Sequence, residues 1–353
     1  MPGQGGQRVS GVGIKEVARV AQVSPGTVSN VLNRPERVAP ETRERVRRAI
    51  RELGFVRHGS ASTLRAGHSR TIGLSLMDIG NPFFTDVAAG AEEVASELGY
   101  AVILGNSGGS RTKEEHNLRV FAEHRVRGVL ITPSDDDPRR LDELRERGIS
   151  VVLVDHPAYR PGLCSVSVDD VAGGRLAARH LLERGARSIH HITGPLTIRQ
   201  CADRRRGVEL ALTAAGLAPA TALETVEMPA MTARAGQQAA ERLIRSRRLP
   251  EAIFCANDML ALGVLRGLHQ AGVGVPGDVA LIGYDDIDFA VASAVSLSSI
   301  RQPTYELGRI ATELLLDECG NPGEHAHRQI MFQPELVARE STGREADGTA
   351  AAT

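Results

Sequence analysis

The chain has 353 residues with 42% hydrophobic and only 3% aromatic side chains, which is too long for one typical domain and enough to bury a mostly aliphatic core. Although the net charge is only −1, residues 1–70 carry 13 Lys/Arg against 5 Asp/Glu and the remainder carries 29 against 38, so we expect a polyanion partner for the first segment, unless its arginines only solvate a helix. The sequence shows no signal peptide and no long apolar run, which argues against secretion and membrane insertion. The four cysteines are scattered, which argues against a disulfide framework and a cysteine metal cluster. These features predict a soluble cytoplasmic protein.

The first predicted elements are three short helices between residues 13 and 58. Their inner faces carry apolar residues at helical spacing, namely Ile14, Val17, Ala18, Ala21, Val28, Val31, Leu32, Val46, Ile50 and Leu53. Ser24 suits the N-cap of the second helix and Pro25 its first position, and Asn33-Arg34-Pro35 ends that helix. Three short helices with one tight turn are typical of a helix-turn-helix unit.

From Thr71 onward, short apolar runs alternate with amphipathic helical segments. We expect strands at 71–77, 101–104, 129–132, 151–154, 165–168, 189–192, 252–255 and 280–282. Amphipathic stretches such as 170–183, 202–215 and 259–271 lie between successive runs. This alternation predicts parallel sheets with helices on both faces, and the number of repeats predicts two lobes.

The expected domain limits follow from these changes of pattern. They are a disordered tail at 1–12, a helical head at 13–58, a hinge or linker at 59–70, a two-lobed body at 71–342 and a disordered tail at 343–353. We expect the first lobe to contain about 71–164 and 303–326, and the second lobe about 165–298 and 327–342.

Several ordered motifs resemble the lactose-repressor/galactose-repressor family of bacterial regulators. Residues 14–34 (IKEVARVAQVSPGTVSNVLNR) resemble the head of that family, and residues 38–55 (VAPETRERVRRAIRELGF) resemble its third helix. The matching motifs of the body are Asn81–Phe84, Ala256–Gly263, Ile282–Asp286 and Ile300–Pro303. The resemblance covers roughly residues 13–340. It implies a fold of the α/β class, with an all-α helix-turn-helix head and a two-lobed body of doubly wound parallel sheets like periplasmic sugar-binding proteins.

The resemblance implies that the second helix enters the major groove of DNA, where base edges are read. In the family, the positions of Pro25, Gly26 and Asn30 commonly carry base-reading side chains. Here Pro25 and Gly26 offer no side-chain hydrogen bond, whereas Asn30 suits a bidentate contact with adenine, unless it is a plain surface residue of the helix. Thr27 and Ser29 suit phosphate contacts. The expected DNA-contacting residues of the head are Ser24, Pro25, Gly26, Thr27, Ser29, Asn30 and Asn33.

Residues 60–67 (SASTLRAG) resemble the hinge of the same family. There the hinge becomes a short helix on DNA, and a leucine wedges into the minor groove at the centre of the operator. Leu64 holds the position of that leucine. We therefore expect Ala61 and Leu64 to contact DNA, unless the segment is a plain linker. A helix this short is unstable alone, so the hinge should order only on DNA.

Ligands of open α/β lobes bind outside the carboxyl ends of the strands, and Asp155, Asn257 and Asp285 each follow a predicted strand. In the family the matching residues, together with an arginine matched by Arg204, line an effector cleft between the lobes. Helix caps or surface ion pairs are the alternative for these side chains. The other cleft residues that the resemblance implies are Phe83, Phe84, Met231 (where many relatives carry an aromatic side chain) and Gln302.

The resemblance implies three partners: a double-stranded DNA operator, a small-molecule effector such as a sugar, and a second copy of the chain. The chain ends soon after Gly343 without a heptad pattern, which favours a dimer over a tetramer. Two alternatives are a transport-type sugar-binding protein, against which the complete head argues, and an enzyme. The sequence shows no P-loop, nucleophile elbow or dinucleotide fingerprint, so we expect no catalysis, no cofactor and no metal. A further hypothesis is that the effector closes the lobes and changes the spacing of the two heads.

Overall fold

The computed structural model describes residues 12–55, 69–246 and 249–343. The chain divides into two compact units, residues 1–67 and 68–353. Residues 1–11 and 344–353 of the predicted tails lie outside the described residues. So do residues 59–68 of the predicted hinge.

The first unit contains the three predicted helices, α1 (Ile14–Val20), α2 (Pro25–Asn33) and α3 (Pro40–Leu53), with a short 3-10 turn at Pro35–Arg37. Gly54 ends α3 in the left-handed region at φ 58°, which a glycine adopts without steric strain. The helices enclose a small core of Val17, Ala18, Ala21, Val28, Val31, Val46, Ala49 and Phe55. The predicted inner residues Leu32, Ile50 and Leu53 are only partly buried at the edge of this core.

The second unit begins with a six-stranded parallel sheet that forms the first lobe. Its strands lie in the order Gln329–Phe332 (β11), Cys164–Val168 (β5), Ser150–Val154 (β4), Gly128–Ile131 (β3), Thr71–Leu76 (β1) and Ala101–Asn106 (β2). The helices of this lobe are α4 (Pro82–Glu97), α5 (Arg111–Glu123), α6 (Arg139–Glu146) and α13 (Thr304–Gly320). The central strands β3 and β4 are buried except for Ser150 at the start of β4, as expected for apolar runs in a parallel sheet.

The second lobe contains a four-stranded parallel sheet and a small antiparallel pair. The parallel order is Leu223–Glu227 (β7), Ile189–Thr193 (β6), Ala252–Cys255 (β8) and Ala280–Ile282 (β9), and the antiparallel pair is Ser299–Arg301 (β10) with Glu335–Val337 (β12). The helices are α7 (Asp170–Glu183), α8 (Arg199–Ala214), α9 (Pro219–Ala222), α10 (Ala233–Ser246), α11 (Asp258–Gln270) and α12 (Asp288–Ala292), followed by a 3-10 turn at Glu340–Thr342.

The chain passes between the lobes three times, after β5, after β10 and after β11. This differs from the expected lobe limits, which put 165–168 and 327–342 wholly in the second lobe. The strand β5 instead pairs with β4 of the first sheet, and β11 pairs with β5 as the edge strand. An apolar run shows that a segment is a strand but not which sheet it joins, so the sequence did not resolve this point.

Candidate functional site

The exposed face of α2 is the candidate nucleic-acid interface of the first unit. The side-chain oxygen of Ser24 accepts a hydrogen bond from the Thr27 amide at 3.0 Å, which caps the helix as expected. The helix buries Val28 and Val31 against the core. The opposite side exposes Pro25, Gly26, Asn30 and Asn33 and leaves Thr27 and Ser29 partly buried.

Two asparagines on α2 differ in what their amides contact. Asn33 Nδ2 donates to the Ser29 carbonyl at 2.8 Å and lies 3.2 Å from Ser29 Oγ, so its amide is engaged within the helix. The Asn30 amide is exposed and has no hydrogen-bond partner among the described residues. Asn30 is therefore the side chain of this face with a free donor and acceptor. The hinge residues Ala61 and Leu64 lie outside the described residues.

In the second unit, the expected cleft residues come together between the two lobes. Parallel strands of both lobes end here, so the polar residues that follow β4, β8 and β9 face one another. The lining residues are Met77, Asn81, Phe83, Phe84, Asp155, Ile198, Gln200, Arg204, Met231, Asn257 and Asp285. Seven of the eight expected residues are in this set, and the eighth, Gln302, contacts it through Asp285.

Asp285 forms one of the hydrogen-bonded contacts between the lobes. Its carboxylate accepts from Asn81 Nδ2 of the first lobe at 3.1 Å and from Gln302 Nε2 at 2.8 Å. Its backbone has φ 108°, and Asp155 across the cleft has φ 56°. Strained backbone of this kind at non-glycine residues concentrates at functional sites. Burial raises the pKa of Asp285 to about 6, although Arg204 and the two amides favour its charged form.

Arg204 is 4% exposed, and two of its guanidinium nitrogens donate hydrogen bonds within the second lobe. Its Nε donates to Asp170 Oδ1 at 2.7 Å, and its Nη1 donates to the Ala256 carbonyl at 2.6 Å. The guanidinium also lies 3.7 Å from the centre of the Tyr284 ring. The helix α8 that carries Arg204 approaches α7 closely because Gly174 lacks a side chain, since a Cβ there would lie 2.0 Å from the Arg204 carbonyl oxygen.

A second contact between the lobes joins Asp155 to Gln200. Gln200 Nε2 donates to the Asp155 carbonyl at 2.6 Å and lies 3.1 Å from its Oδ2. Burial, reinforced by the nearby Asp170 carboxylate, raises the pKa of Asp155 well above its usual range. Both inter-lobe hydrogen-bond pairs therefore end on a buried carboxylate.

The apolar side of the cleft is formed by two phenylalanines and a methionine. Phe83 and Phe84 are both buried in the first-lobe core, with their rings edge to face at 4.9 Å, and both line the cleft. The Met231 sulfur lies 3.5 Å from Cys201 Sγ. Asn257 caps α11 through Leu260 N at 2.9 Å and also donates to the Met231 carbonyl at 3.2 Å, so it is both a helix cap and a cleft residue.

The cleft is nearly filled at its centre in this structure, although a cavity of about 410 Å³ adjoins it beside Asp155 and Gln200. The lining residues leave a cavity of about 20 Å³, which has room for roughly one water molecule. A larger cavity of about 250 Å³ lies at the mouth of the cleft, against Met77, Pro195 and Met231. Two buried oxygens, Asp155 Oδ1 and Gln302 Oε1, have no hydrogen-bond partner among the described residues. Since buried polar atoms in native proteins are nearly always paired, these two are free to receive a ligand's donors.

Sequence reasoning did not assign Met77, Ile198 and Gln200 of the cleft lining, and it also missed three polar residues at strand ends. Asn81 was noticed only as part of a motif, although it forms a hydrogen bond between the lobes. Asp170 and Tyr284 hold Arg204 in place but follow different strands of different sheets. Each of these three residues follows or ends a strand, so a search of strand ends for polar residues is the signal that finds them.

Comparison with known proteins matches both units. Residues 13–58 match the family described as bacterial regulatory proteins, lacI family, and residues 178–342 match the periplasmic binding protein-like domain. The HTH-type transcriptional repressor PurR of Photobacterium profundum is 34% identical over 93% of this chain and 98% of its own length. No helix in the described ranges combines the length and apolarity that a membrane crossing needs.

Solved structures agree with these matches. The lac repressor dimer bound to operator and the anti-inducer ONPF is 25% identical, with a TM-score of 0.79 over 94% of this chain and 99% of that one. The complex of the transcriptional regulator CelR with cellobiose is 32% identical, with a TM-score of 0.68 over the same shares of the two chains.

Proposed function

Because this chain belongs to the lacI family of bacterial transcription regulators, we propose that it is a ligand-controlled repressor that binds a pseudo-palindromic operator as a homodimer. The observation that carries this proposal is the combination, in one chain, of an exposed helix-turn-helix face and a polar cleft between two lobes. The chain works by binding and not by catalysis, in the cytoplasm where its DNA target lies.

The second helix of the head reads the operator mainly through Asn30. Pro25 and Gly26 occupy the amino end of α2, where a recognition helix contacts base edges, but they have no side-chain hydrogen-bonding group. The free amide of Asn30 supports a bidentate contact with adenine, which contributes about 1–3 kcal/mol of discrimination. The arginines exposed on α3 support nonspecific contacts with phosphates.

The hinge supplies the remaining specificity at the centre of the operator. Ala61 and Leu64 contact the DNA, and Leu64 inserts into the minor groove, which favours a deformable central base step. The support for this role is the matching segment Ser60–Gly67 of the sequence.

The effector is a neutral, hydroxyl-rich small molecule of the size of a sugar. The cleft buries the carboxylates Asp155, Asp170 and Asp285 against a single guanidinium, Arg204, which is already engaged. Burial favours the neutral form of Asp155, but Asp170 and Asp285 still outnumber the one guanidinium, so an anionic ligand meets no net positive charge. Sugar hydroxyls can form hydrogen bonds with Asp155 and Gln302. Phe83 and Phe84 supply the apolar face for the ring, and Met231 replaces an aromatic wall on the other side. The cellobiose bound to the related regulator supports this class of effector.

The effector controls the lobes because it competes with the contacts that now hold them together. The cavity of about 20 Å³ at the centre of the cleft does not hold a sugar, so the lobes move apart for a ligand to contact Arg204 and Asp285. The ligand then replaces the Asn81–Asp285 and Gln200–Asp155 hydrogen bonds. The lobes close around it with a different spacing, which changes the separation of the two heads in the dimer.

A second copy of the chain docks on an apolar surface of the second lobe. Phe289 and Val291 of α12 are 60% and 58% exposed. Phe289 lies beside Met259 and Leu262 of α11 in one shallow depression. Exposed clusters of this kind mark interaction sites, and the related lac repressor forms a dimer.

Selection of binding sites from a random duplex library tests this proposed function. The purified full-length protein should enrich a pseudo-palindrome, and the selected duplex should bind far more tightly than random DNA at every salt concentration. Purely salt-driven binding without an enriched sequence, both with and without a metabolite mixture, refutes the proposal.

A further inference from the structure

Four side chains with metal-binding chemistry converge in the first lobe, away from the cleft. Cys164 opens β5, Glu318 lies in the last turn of α13, and His325 and His327 precede β11. One ligand atom from each of the four lies within 4.8 Å of all the others. The fold brings them together because β5 and β11 are parallel neighbours and α13 ends beside their amino-terminal ends.

The distances within this cluster fit one metal ion. The Cys164 sulfur lies 3.1 Å from His325 Nε2 and 3.6 Å from His327 Nδ1, and Glu318 Oε2 lies 3.9 Å from His327 Nδ1. A tetrahedral zinc ion with bonds of about 2.0–2.3 Å places its ligand atoms about 3.3–3.8 Å apart. The three distances lie within a few tenths of an ångström of this range, and the other pairs, which lie within 4.8 Å, close by up to about 1.5 Å when an ion binds.

The surroundings of His325 match those of a metal-binding histidine. Its side chain is 1% exposed, and its Nδ1 lies 2.7 Å from Asp317 Oδ2. A carboxylate that accepts from one ring nitrogen fixes the tautomer and turns the lone pair of the other nitrogen outward, which is the usual second contact of zinc-bound histidines. Here the other nitrogen, Nε2, faces Cys164 and the rest of the cluster.

Glu318 provides an independent sign that a partner belongs in the cluster. The residue is buried, and within the described part of the chain its Oε2 has no hydrogen-bond partner. A buried carboxylate oxygen without a donor is unfavourable unless a cation pairs with it. Ring nitrogens of both histidines point into the cluster, since His325 Nε2 lies 3.1 Å from Cys164 Sγ and His327 Nδ1 lies 3.9 Å from Glu318 Oε2.

We propose that Cys164, Glu318, His325 and His327 bind one Zn²⁺ ion in a closed four-ligand site. The thiol of Cys164 releases its proton to solvent on binding, and the thiolate and the carboxylate together neutralise the charge of the ion. Four protein ligands leave no open position, so the ion has a structural role. It ties α13, β5 and β11 together at their ends remote from the three passages between the lobes, and so stiffens the first lobe.

Cobalt substitution of the full-length protein tests this proposal. The reduced, chelator-treated protein should bind one Co²⁺ per chain, with the intense visible absorption of four-coordinate cobalt and a near-ultraviolet band from the thiolate. Zinc should displace the cobalt and raise the melting temperature of the protein. Absence of the thiolate band, or a melting temperature unchanged by zinc, overturns the proposal.

Matched variants separate this site from other cysteines and histidines. Cys164→Ser should abolish the thiolate band, and His327→Gln, at an exposed position, should weaken cobalt binding by at least about tenfold, in line with the effect of disturbing a metal shell. Two control variants should leave cobalt binding unchanged. They are Cys319→Ser, at the end of α13 next to Glu318, and His269→Gln, on the surface of the second lobe. Unchanged cobalt binding in a folded His327→Gln protein contradicts the assignment even if Cys164→Ser does not fold.

Discussion

Replacing Arg204 by methionine should destabilise the body strongly, because the guanidinium pairs buried groups that have no other cation. The change removes the donors to Asp170 and to the Ala256 carbonyl and the contact with the Tyr284 ring. Breaking a buried ion pair by removing one partner costs about 3–5 kcal/mol. Because methionine keeps much of the side-chain volume, the decrease in the free energy of unfolding comes from the missing charge and not from a cavity.

Urea unfolding followed by circular dichroism measures this effect, since the chain has no tryptophan. The matched control is Arg205→Met on the same helix, whose 40% exposed guanidinium pairs with Glu209 at 2.9 Å. This control should lose less than about 1 kcal/mol. The double change Arg204→Met with Asp170→Asn should recover part of the loss, because it leaves no lone buried charge. Equal losses for Arg204→Met and Arg205→Met would refute this explanation of the cleft.

Three further predictions concern DNA reading, the dimer and pH. Asn30→Ala should relax operator selectivity by about 1–3 kcal/mol at one base pair without abolishing binding, whereas Asn33→Ala should not; equal selectivity profiles would contradict the role of Asn30. Phe289→Asp should convert the dimer to a monomer in sedimentation experiments, and an unchanged dimer would place the interface elsewhere. Because burial raises the pKa of Asp285 to about 6, the folded body binds a proton more tightly than the unfolded chain, so this group favours folding at low pH. The free energy of unfolding of the wild type, relative to that of Asp285→Asn, should therefore fall as pH rises from about 4 to about 6 and stay constant at higher pH. A rise in this free-energy difference between about pH 4 and about pH 6 would show instead that its neighbours stabilise the charged carboxylate.

The helices of the head could be predicted almost residue by residue, because their signals are local. Ser24 and Pro25 fix the start of α2, and Gly54 fixes the end of α3. The buried strands of the body were equally visible as apolar runs. The polar strand Leu223–Glu227 and the edge strand Gln329–Phe332 were missed, because half-exposed strands lack a continuous apolar run.

Contacts between distant segments set the limit of prediction for the sites. The resemblance named Asp155, Arg204 and Asp285, and the structure brings them into one cleft. It gave no sign that the centre of the cleft is nearly filled, because this filling depends on pairs such as Asn81 with Asp285 that are 204 positions apart. The cluster around Cys164 was missed for the same reason, although Glu318, His325 and His327 lie close together in the sequence.

The most direct test of the account is the operator affinity of the wild type and of Asp285→Asn, measured with and without a panel of neutral sugars and anionic metabolites. We predict that at least one neutral, hydroxyl-rich compound changes the wild-type affinity by about tenfold or more, and that Asp285→Asn keeps its affinity without ligand but loses the response. A response that survives in Asp285→Asn, or that only anionic compounds elicit, would contradict control from the cleft between the lobes.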